Sequence, residues 1–522
     1  MVDMTVIRDV LIYDGTGNAP FPGDVFFDHD RITAVGVPGE FTRTGHTVIG
    51  GRGLAITPGF IDVHAHSDLT LLAAPEAFSK ISQGVTSEIS GNCGLSFFPV
   101  TEKNRSRLRD LAAGYGVELA WDSFSSFVET LAHAVPAVNY NFLCGQNTLR
   151  AAVLSYEDLP ATPDDITEMR RLLRESLAAG ARGLSTGLLY VPGRFSAEEE
   201  LQCVIRELAG SSGVYATHLR SEGDALEEAL EEAVRLAGSC GVPLHISHLK
   251  TSGKRNWHKL DSVLRIIADA KARGVRITAD RYPYTFAQTS FSVILPAPYD
   301  DMTDRAIQDV LSSDETEFRR VTDVMSQPGY RDWDLVILSV SSCEKYQPFC
   351  GKTLTEIGNT LGQHPAAIAA EILRDDAARA QGAFGGLSPE NLRRILGEEY
   401  VCCGTDENAR PADHSLGRSH PRGFGSFPRF LNEMKTFTTM SEAVRRVTSL
   451  PAAIFGLKDR GLLKKGYYAD LVLLDEARLH DRADFVTPHA PAEGIHSVYV
   501  NGVRAYAPGE AVRRNGKLLT AI

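Results

Sequence analysis

Short apolar strands alternate with amphipathic helices over about 350 residues in the middle of this chain, and this rhythm restricts its possible folds most strongly. The strands are predicted at 85–90, 138–145, 183–188, 214–219, 243–249, 276–284 and 399–406. The clearest helix is predicted over 222–241, where Leu226, Leu230 and Ala233 belong to one apolar face. Because such alternation produces parallel β/α units, we predict an α/β protein with a TIM-like (β/α)8 barrel, the commonest closure at this size.

Both ends of the chain carry a different signal, that of short β-hairpins. Asn501-Gly502, for example, is a candidate type I′ turn between two alternating apolar stretches. We therefore predict one small β-sandwich domain built from both termini, residues 1–57 and residues 452–522.

The barrel itself is predicted over residues 58–451 as the catalytic domain. Its rhythm breaks after Tyr284, where apolar and helix-like stretches follow without the strand–helix order. Residues 286–345 are therefore predicted to form an insertion between strands 7 and 8. Loops on this side of a barrel carry function, so the insertion is expected to cover the active site.

Composition limits the partners and the compartment. The formal net charge of −12 argues against nucleic acid or an anionic membrane as a partner. The eight cysteines are scattered and form no C-x-x-C pair, which favours a reducing, cytoplasmic location. We find no signal peptide in MVDMTVIRDV and no run of about 18 apolar residues, so no membrane association is expected.

Metal-binding residue types stand at the predicted carboxyl ends of five strands. His64 and His66 in PGFIDVHAHSD would point to the same side of a strand, because side chains alternate with period two. The other four strand ends supply Cys93, His218, His248 and Asp406. Barrel active sites collect at this rim. Imidazole and thiolate ligands suit zinc, and a site that also has a carboxylate and open positions suits hydrolysis.

Each of these residues also has an ordinary structural interpretation. A single histidine in a strand is often a hydrogen-bonded structural residue, a single cysteine is often a small buried apolar side chain, and an aspartate is often a helix cap. The convergence of six side chains on one rim favours the metal site. His245 faces the opposite side of its strand from His248 and is left out of it.

Longer motifs connect the chain with a known family. They are PGFIDVHAHSD, GVTSEISGNCG, GARGLSTGLLYVPG, THLRSE, HISHLKTSGKRNW, YPY and HPRGFGSFPRFL. With them the chain resembles, over nearly its whole length, the D-aminoacylase (N-acyl-D-amino acid deacylase) branch of the amidohydrolase superfamily. The HxH motif is common to the superfamily, whereas the GNCG cysteine and the STGLxYxPG and HxSHxK segments are specific to this branch.

The resemblance implies a metal-dependent hydrolase barrel with one tightly held Zn²⁺ and a possible second, weaker metal site. It implies that Cys93, His218 and His248 hold the first ion, and that His64, His66 and Asp406 surround the second. In this branch the cysteine stands where most relatives use a carboxylated lysine.

The resemblance also implies the reaction, hydrolysis of the amide bond of an N-acyl-D-amino acid to a carboxylate and a free D-amino acid. Asp406 is expected to act as general base and then as general acid. Lys250, Tyr282, Arg422 and Tyr190 are implied to bind this small-molecule substrate. From the residues alone, Lys250 could also be a solvated rim charge and Tyr282 a packed core edge, although substrate binding is favoured for both.

The chain departs from the family pattern at two places. Glu407 follows the strand-8 aspartate where the family has glycine, and the segment from there to His420 is longer. Residues 291–299 are apolar where relatives specific for acidic side chains are expected to place an arginine. This favours substrates with a neutral or hydrophobic side chain.

Two other functions remain open from the sequence. A cyclic amide hydrolase of the hydantoinase or dihydroorotase type, or a D-residue dipeptidase, would use the same scaffold. These enzymes usually need a bridging lysine in strand 4, which here reads GLSTGLLYVPG without one. A barrel kept only as an assembly scaffold would typically have lost metal ligands. The oligomeric state is not determined by the sequence.

Overall fold

The computed structural model describes residues 4–40 and 47–519. Residues 1–3, 41–46 and 520–522, which belong to the predicted terminal domain, lie outside the described residues. No helix within the described ranges combines the length and apolar character that crossing a membrane requires.

The elements follow the chain in three stretches before strand β17. The first contains β1 Thr5–Ile12, β2 Phe21–Asp28, β3 Arg31–Gly36, β4 Thr47–Gly50 and β5 Ala55–Pro58. The second contains β6 Phe60–Asp62, α1 Thr70–Ala73, α2 Phe78–Ile81, β7 Val85–Ser90, α3 Glu102–Ala113, α4 Phe124–Ala134, β8 Asn139–Phe142, β9 Cys144–Gly145, α5 Gln146–Leu154, α6 Pro163–Ala178, β10 Gly183–Gly187, α7 Glu198–Ile205, β11 Val214–His218, α8 Leu226–Cys240, β12 Leu244–Ile246, α9 Leu260–Ala272 and β13 Ile277–Asp280. The third contains β14 Ala287–Ser290, α10 Asp304–Ser313, α11 Glu315–Met325, β15 Val336–Val340, α12 Leu354–Leu361, α13 Pro365–Asp376, β16 Gln381–Phe384 and α14 Pro389–Gly397.

The remaining elements complete the parallel β/α structure and return to the terminal sheet. They are β17 Val401–Cys402, α15 Arg422–Met434, α16 Met440–Val447, α17 Ser449–Ile454, β18 Leu471–Leu474, β19 Ile495–Val500 and β20 Val503–Tyr506. Short 3-10 helices lie between these elements at Gly193–Phe195, Arg206–Leu208, Lys254–Lys259, Phe291–Ile294, Tyr299–Asp301, Trp333–Leu335 and Gln347–Phe349.

The predicted strand–helix rhythm is confirmed as parallel β/α structure. Strands β9, β10, β11, β12, β13 and β17 form one parallel sheet in that order, and β6, β7 and β8 form a second parallel sheet. The strand pairings of the described residues thus give two parallel sheets and not one continuous eight-stranded barrel. Only Leu143 separates β8 from β9, and a parallel bridge pairs Ala65 with Glu407 just beyond the ends of β6 and β17.

Helix α8 shows how the sequence pattern forms these units. Its apolar face, which includes Leu226, Leu230 and Ala233, is buried, and the helix ends at Gly241 in the left-handed conformation with φ +69°. The predicted start at residue 222 is wrong by four residues. Glu222 lies in the turn between β11 and α8, where it is free to contact neighbouring strand ends.

The two ends of the chain share one mixed sheet of eight strands. Its order is β20-β19-β18-β5-β1-β2-β3, with β4 paired to β1, so the antiparallel pair of β5 and β18 joins the first and last parts of the chain. Asn501 and Gly502 both have positive φ, at +47° and +80°, as the predicted type I′ turn requires. The sandwich arrangement of this sheet stays a prediction.

The segment after β13 forms a small unit with its own core. Strands β14, β15 and β16 make an antiparallel sheet, and helices α10 to α13 pack around apolar residues such as Leu338, Ile357 and Leu373. This unit reaches from residue 287 to residue 384, beyond the predicted limit at residue 345. The predicted domain limits stay predictions.

A buried lysine ties the end of strand β6 to the segment that follows strand β17. The Lys80 ammonium donates to Asp62 Oδ2 at 2.7 Å, to Thr405 Oγ1 at 2.7 Å and to the backbone carbonyl of Glu407 at 2.9 Å. The side chains of Lys80 and Asp62 are both 0% exposed. Asp62 also accepts from the backbone N–H groups of His64 and Thr405, so this ion pair holds the strand ends that carry site residues.

We expect Lys80→Met to lower the free energy of unfolding by about 3–5 kcal/mol, because it leaves the buried Asp62 carboxylate without its cation. The matched control is Lys345→Met, since Lys345 pairs with Glu371 at 2.7 Å while its side chain is 51% exposed. An exposed pair contributes roughly 0–1 kcal/mol. Urea denaturation followed by circular dichroism compares the two variants, and equal losses would contradict the importance of the buried pair.

Candidate active site

Two groups of potential metal ligands meet at the carboxyl ends of the parallel strands, and Cys93 belongs to both. One group is His64, His66, Cys93 and Asp406, and the other is Cys93, His218 and His248. Within each group all ligand atoms lie within 4.8 Å of one another. The structure therefore brings together all six side chains that the sequence placed at the strand ends.

The backbone at three of these positions is left-handed. Cys93, His248 and Asp406 have φ values of +53°, +37° and +52°. Each left-handed residue other than glycine destabilises the fold by on the order of 1–3 kcal/mol and persists only where the surrounding structure imposes that conformation. Such residues are common at functional sites. In all three cases the residue follows a parallel strand, so the chain turns sharply there and presents the side chain at the rim.

The Cys93 thiol lies against two imidazoles. Its Sγ atom is 3.3 Å from His64 Nε2 and 3.5 Å from His248 Nε2. Burial by itself raises the pKa of the thiol, but the neighbouring His64 and His248 hold this pKa well below its ordinary value. A thiolate next to imidazole nitrogens is a donor set that fits zinc.

Asp280 fixes the orientation of His64. The His64 Nδ1–H donates to Asp280 Oδ2 at 2.9 Å, so the Nε2 atom of the same ring faces Cys93. Asp280 also accepts from His245 Nε2 at 3.0 Å and from the backbone N–H of His248 at 3.0 Å. A carboxylate behind a ligating histidine sets its tautomer and ring position. The sequence analysis missed Asp280, although an aspartate at the end of a parallel strand was a signal for it.

Asp406 is surrounded by positive and polar groups. Its Oδ1 is 3.0 Å from His66 Nε2 and 3.3 Å from His64 Nε2, and its Oδ2 is 2.7 Å from Arg422 Nη1. Burial raises the pKa of this carboxyl, but Arg422, His64 and His248 hold it well below its usual range. Asp406 is therefore a carboxylate that can accept a proton.

Glu222 is a second carboxylate that the sequence analysis missed. It lies 2.8 Å from His248 Nδ1 and forms an ion pair with Lys250. Burial raises the pKa of Glu222, but Lys250, His218 and His248 lower it well below the usual value. No local signal identified Glu222, because its position in the sequence suggested the first turn of helix α8.

The four predicted substrate-binding residues lie around the same cluster. Lys250 Nζ is 2.8 Å from His248 Nδ1, and the Tyr190 and His218 rings are 4.9 Å apart. The Tyr282 ring lies 4.7 Å from the Arg422 guanidinium, and its buried hydroxyl has no hydrogen-bond partner among the described residues.

Strand β14 lies beside these residues and belongs to the small unit of residues 287–384, called the inserted unit from here on. Thr289 Oγ1 is 3.1 Å from Tyr190 Oη, and the backbone carbonyl of Gln288 accepts from Arg422 Nη2 at 3.4 Å. The inserted unit therefore contacts two of the predicted substrate-binding side chains directly.

Glu407, where the family pattern has glycine, closes the long loop after Asp406. Its carboxylate accepts from the backbone N–H groups of Asn408 at 3.1 Å and His420 at 3.4 Å. The His420 ring in turn accepts from the backbone N–H of Arg422 at 2.9 Å. Through His420, Glu407 thus connects the start of the loop with Arg422, the residue that contacts Asp406.

Known proteins are similar to this chain in sequence. The profile of the amidohydrolase family matches residues 47–337 and 390–506. A D-aminoacylase of Alcaligenes xylosoxydans xylosoxydans is 34% identical over 504 residues, which cover 96% of this chain and 93% of that protein. An N-acyl-D-aspartate deacylase of the same organism is 32% identical over 531 residues, with 97% and 95% covered.

A solved structure extends the similarity to three dimensions. The crystal structure of an N-acyl-D-glutamate deacylase from Bordetella bronchiseptica, complexed with zinc and a phosphonate inhibitor, superimposes with a TM-score of 0.82 at 28% identity. The superposition covers 100% of both chains.

Proposed function

Because the chain belongs to the amidohydrolase family, we propose that it hydrolyses the amide bond of N-acyl-D-amino acids with the help of bound zinc. The products are a carboxylate and a free D-amino acid. The observation that carries this proposal is the thiol of Cys93 shared by two groups of histidine and carboxylate ligands. Sequence relatives support the same proposal, because proteins named D-aminoacylase and N-acyl-D-aspartate deacylase match almost the whole chain.

The metal assignment follows the chemistry of the donors. Cys93, His218 and His248 would hold the tight zinc ion, and His64, His66 and Asp406 would form the weaker second site together with the same thiol. When bound, zinc supplies Lewis-acid chemistry that polarises the amide carbonyl and makes water a nucleophile near neutral pH. The thiolate character of Cys93 supports zinc over harder cations.

Asp406 moves the proton that the reaction requires. As a carboxylate it accepts a proton from the attacking water, and it then donates that proton to the leaving nitrogen. An amide nitrogen leaves poorly without this proton. The contacts with Arg422 and His66 support the role because they hold the carboxylate in one place, and Arg422, His64 and His248 keep its pKa low enough for it to stay ionised.

The remaining residues bind the substrate. Lys250, Tyr282 and Arg422 provide two cations and a buried hydroxyl for the α-carboxylate of the amino acid. Tyr190 orients the amide. Burial raises the pKa of the Tyr190 hydroxyl well above its usual value, so this group stays a hydrogen-bond donor.

The finer architecture belongs to the same proposal. We infer that the two parallel sheets are parts of one (β/α)8 barrel over residues 58–451, with residues 1–57 and 452–522 forming a β-sandwich. The short gap at Leu143 and the bridge between Ala65 and Glu407 support this. The contacts of strand β14 with Tyr190 and Arg422 support an insertion that covers the site.

The unpaired state of all eight cysteines supports a cytoplasmic enzyme, because disulfides are rare in reducing compartments.

The alternative functions have less support. A hydantoinase, a dihydroorotase or a D-residue dipeptidase is expected to place a lysine in the fourth strand, and β10 reads Gly-Leu-Ser-Thr-Gly.

The preferred amino-acid side chain is proposed to be neutral or hydrophobic. Residues 287–299, which include the strand β14 that contacts Tyr190 and Arg422, contain no lysine or arginine. An acidic side chain would need a cation there to offset its loss of hydration.

A panel of N-acetyl-D-leucine, N-acetyl-L-leucine and N-acetyl-D-glutamate, assayed with and without added zinc, tests this function. We expect kcat/KM for N-acetyl-D-leucine to exceed the other two by about tenfold or more, since one favourable pocket contact contributes roughly 1–3 kcal/mol. Zinc is expected to restore activity after chelation. Preference for the L substrate would refute the handedness, and preference for glutamate would refute the side-chain assignment.

A further inference from the structure

The carboxylate of Glu222 lies next to both histidines of the proposed tight zinc site. Glu222 Oε1 is 2.8 Å from His248 Nδ1, and Glu222 Oε2 is 3.9 Å from His218 Nε2. The opposite nitrogens of the same rings, His218 Nδ1 and His248 Nε2, face each other at 2.9 Å. Glu222 therefore lies on the side of each imidazole that faces away from the ligand cluster.

The ammonium of Lys250 and the carboxylate of Glu222 compete for the same atom, His248 Nδ1. Lys250 Nζ is also 2.8 Å from His248 Nδ1. If the lysine donates to Nδ1, that nitrogen has no proton of its own, so in a neutral ring Nε2 carries the proton and has no free lone pair. If Nδ1–H instead donates to Glu222, the lone pair of Nε2 is available, and Nε2 is the atom that faces Cys93.

Glu222 decides this competition because it contacts both groups. Its carboxylate can accept from Nδ1–H of His248 and from the ammonium of Lys250 at the same time, since each carboxylate has about four acceptor positions. The ammonium then has no need to donate to the ring, and its other two N–H bonds stay available.

We propose that Glu222 is a positioning residue that accepts the Nδ1 proton of His248 and the charge of Lys250, and thereby keeps His248 Nε2 available for zinc. This inference rests on the proposed zinc site, and its test is read from zinc binding alone. A failure of the proposed substrate assignment would therefore leave the test intact.

The first measurement is the zinc Kd of Glu222→Gln, obtained by competition with a chromophoric chelator without substrate. The Kd is expected to rise about 10–100-fold, the usual effect of losing a partner behind a ligating histidine. The matched control is Glu232→Gln. Glu232 is similarly buried and pairs with Arg220 at 2.8 Å, away from the ligands, so its Kd is expected to equal that of the wild type.

A second substitution separates this role from a general structural one. In the Glu222→Gln background, Lys250→Met is expected to lower the zinc Kd again by about threefold or more, because it removes the ammonium that then competes for Nδ1. In the wild-type background Lys250→Met is expected to leave the Kd unchanged. Recovery of affinity on losing a second side chain is not expected of a merely structural defect.

The proposal is overturned if Glu222→Gln binds zinc as tightly as the wild type, or if Lys250→Met restores nothing in that background. Circular dichroism of each variant checks the fold. If Glu222→Gln does not fold, Glu222→Asp carries the test, because its shorter side chain keeps the charge but does not reach both partners. An unchanged Kd in that variant also overturns the proposal.

Discussion

Asp406→Asn is expected to lower kcat for N-acetyl-D-leucine by about 10²–10⁴-fold, the usual contribution of a positioned general acid–base group. Asparagine keeps the shape of the side chain but can neither accept the proton of the attacking water nor return it to the leaving nitrogen. Cleavage of the amide bond is slowed most at the step in which the nitrogen leaves, because an amide nitrogen leaves poorly without a proton. Steady-state kinetics at saturating zinc measure the effect.

Two controls make this result specific. Asp413→Asn changes an exposed aspartate of the same loop, whose carboxylate accepts from Ser415, and is expected to leave kcat unchanged. The zinc Kd of the tight site should also stay close to the wild-type value in Asp406→Asn, because Cys93, His218 and His248 remain. A kcat within about tenfold of wild type would exclude Asp406 as the general base.

Cys93→Ala is expected to have the largest effect on metal binding. Cys93 is the member common to both ligand groups, so its loss weakens both sites at once. The zinc Kd is expected to rise by more than the roughly 10–100-fold that follows from losing an outer hydrogen-bond partner, and activity should fall with zinc content. Atomic absorption after dialysis and a chelator competition measure the two quantities.

The matched control is Cys144→Ala in strand β9. Cys144 is also buried, and burial raises the pKa of its thiol to about 12, so it stays protonated and takes no part in the cluster. This variant is expected to bind zinc like the wild type. If Cys93→Ala retained a full complement of tightly bound zinc, the proposed site would be wrong.

The sequence was enough to predict that the proposed metal ligands lie together, because parallel strands impose a simple geometry. Their carboxyl ends meet at one edge, so residues far apart in the chain can be assigned to one site from strand positions alone. This explains why Cys93, His218, His248 and Asp406, each at or just beyond the carboxyl end of a predicted strand, were proposed as ligands without a structure. The strand at 85–90 was likewise predicted with its observed bounds, since the glycines at 84 and 91 that bound it are local information.

Only the tertiary structure decided which groups hold these proposed ligands in place. His64 meets Asp280 across 216 positions, and Lys250 meets Glu222 across 28, in contacts that no local periodicity encodes. The helical pattern even placed Glu222 inside α8, because periodicity describes one face of a helix and not where its first turn begins. The ligands follow from the order of the strands, whereas their orientation follows from packing between side chains that are distant in sequence.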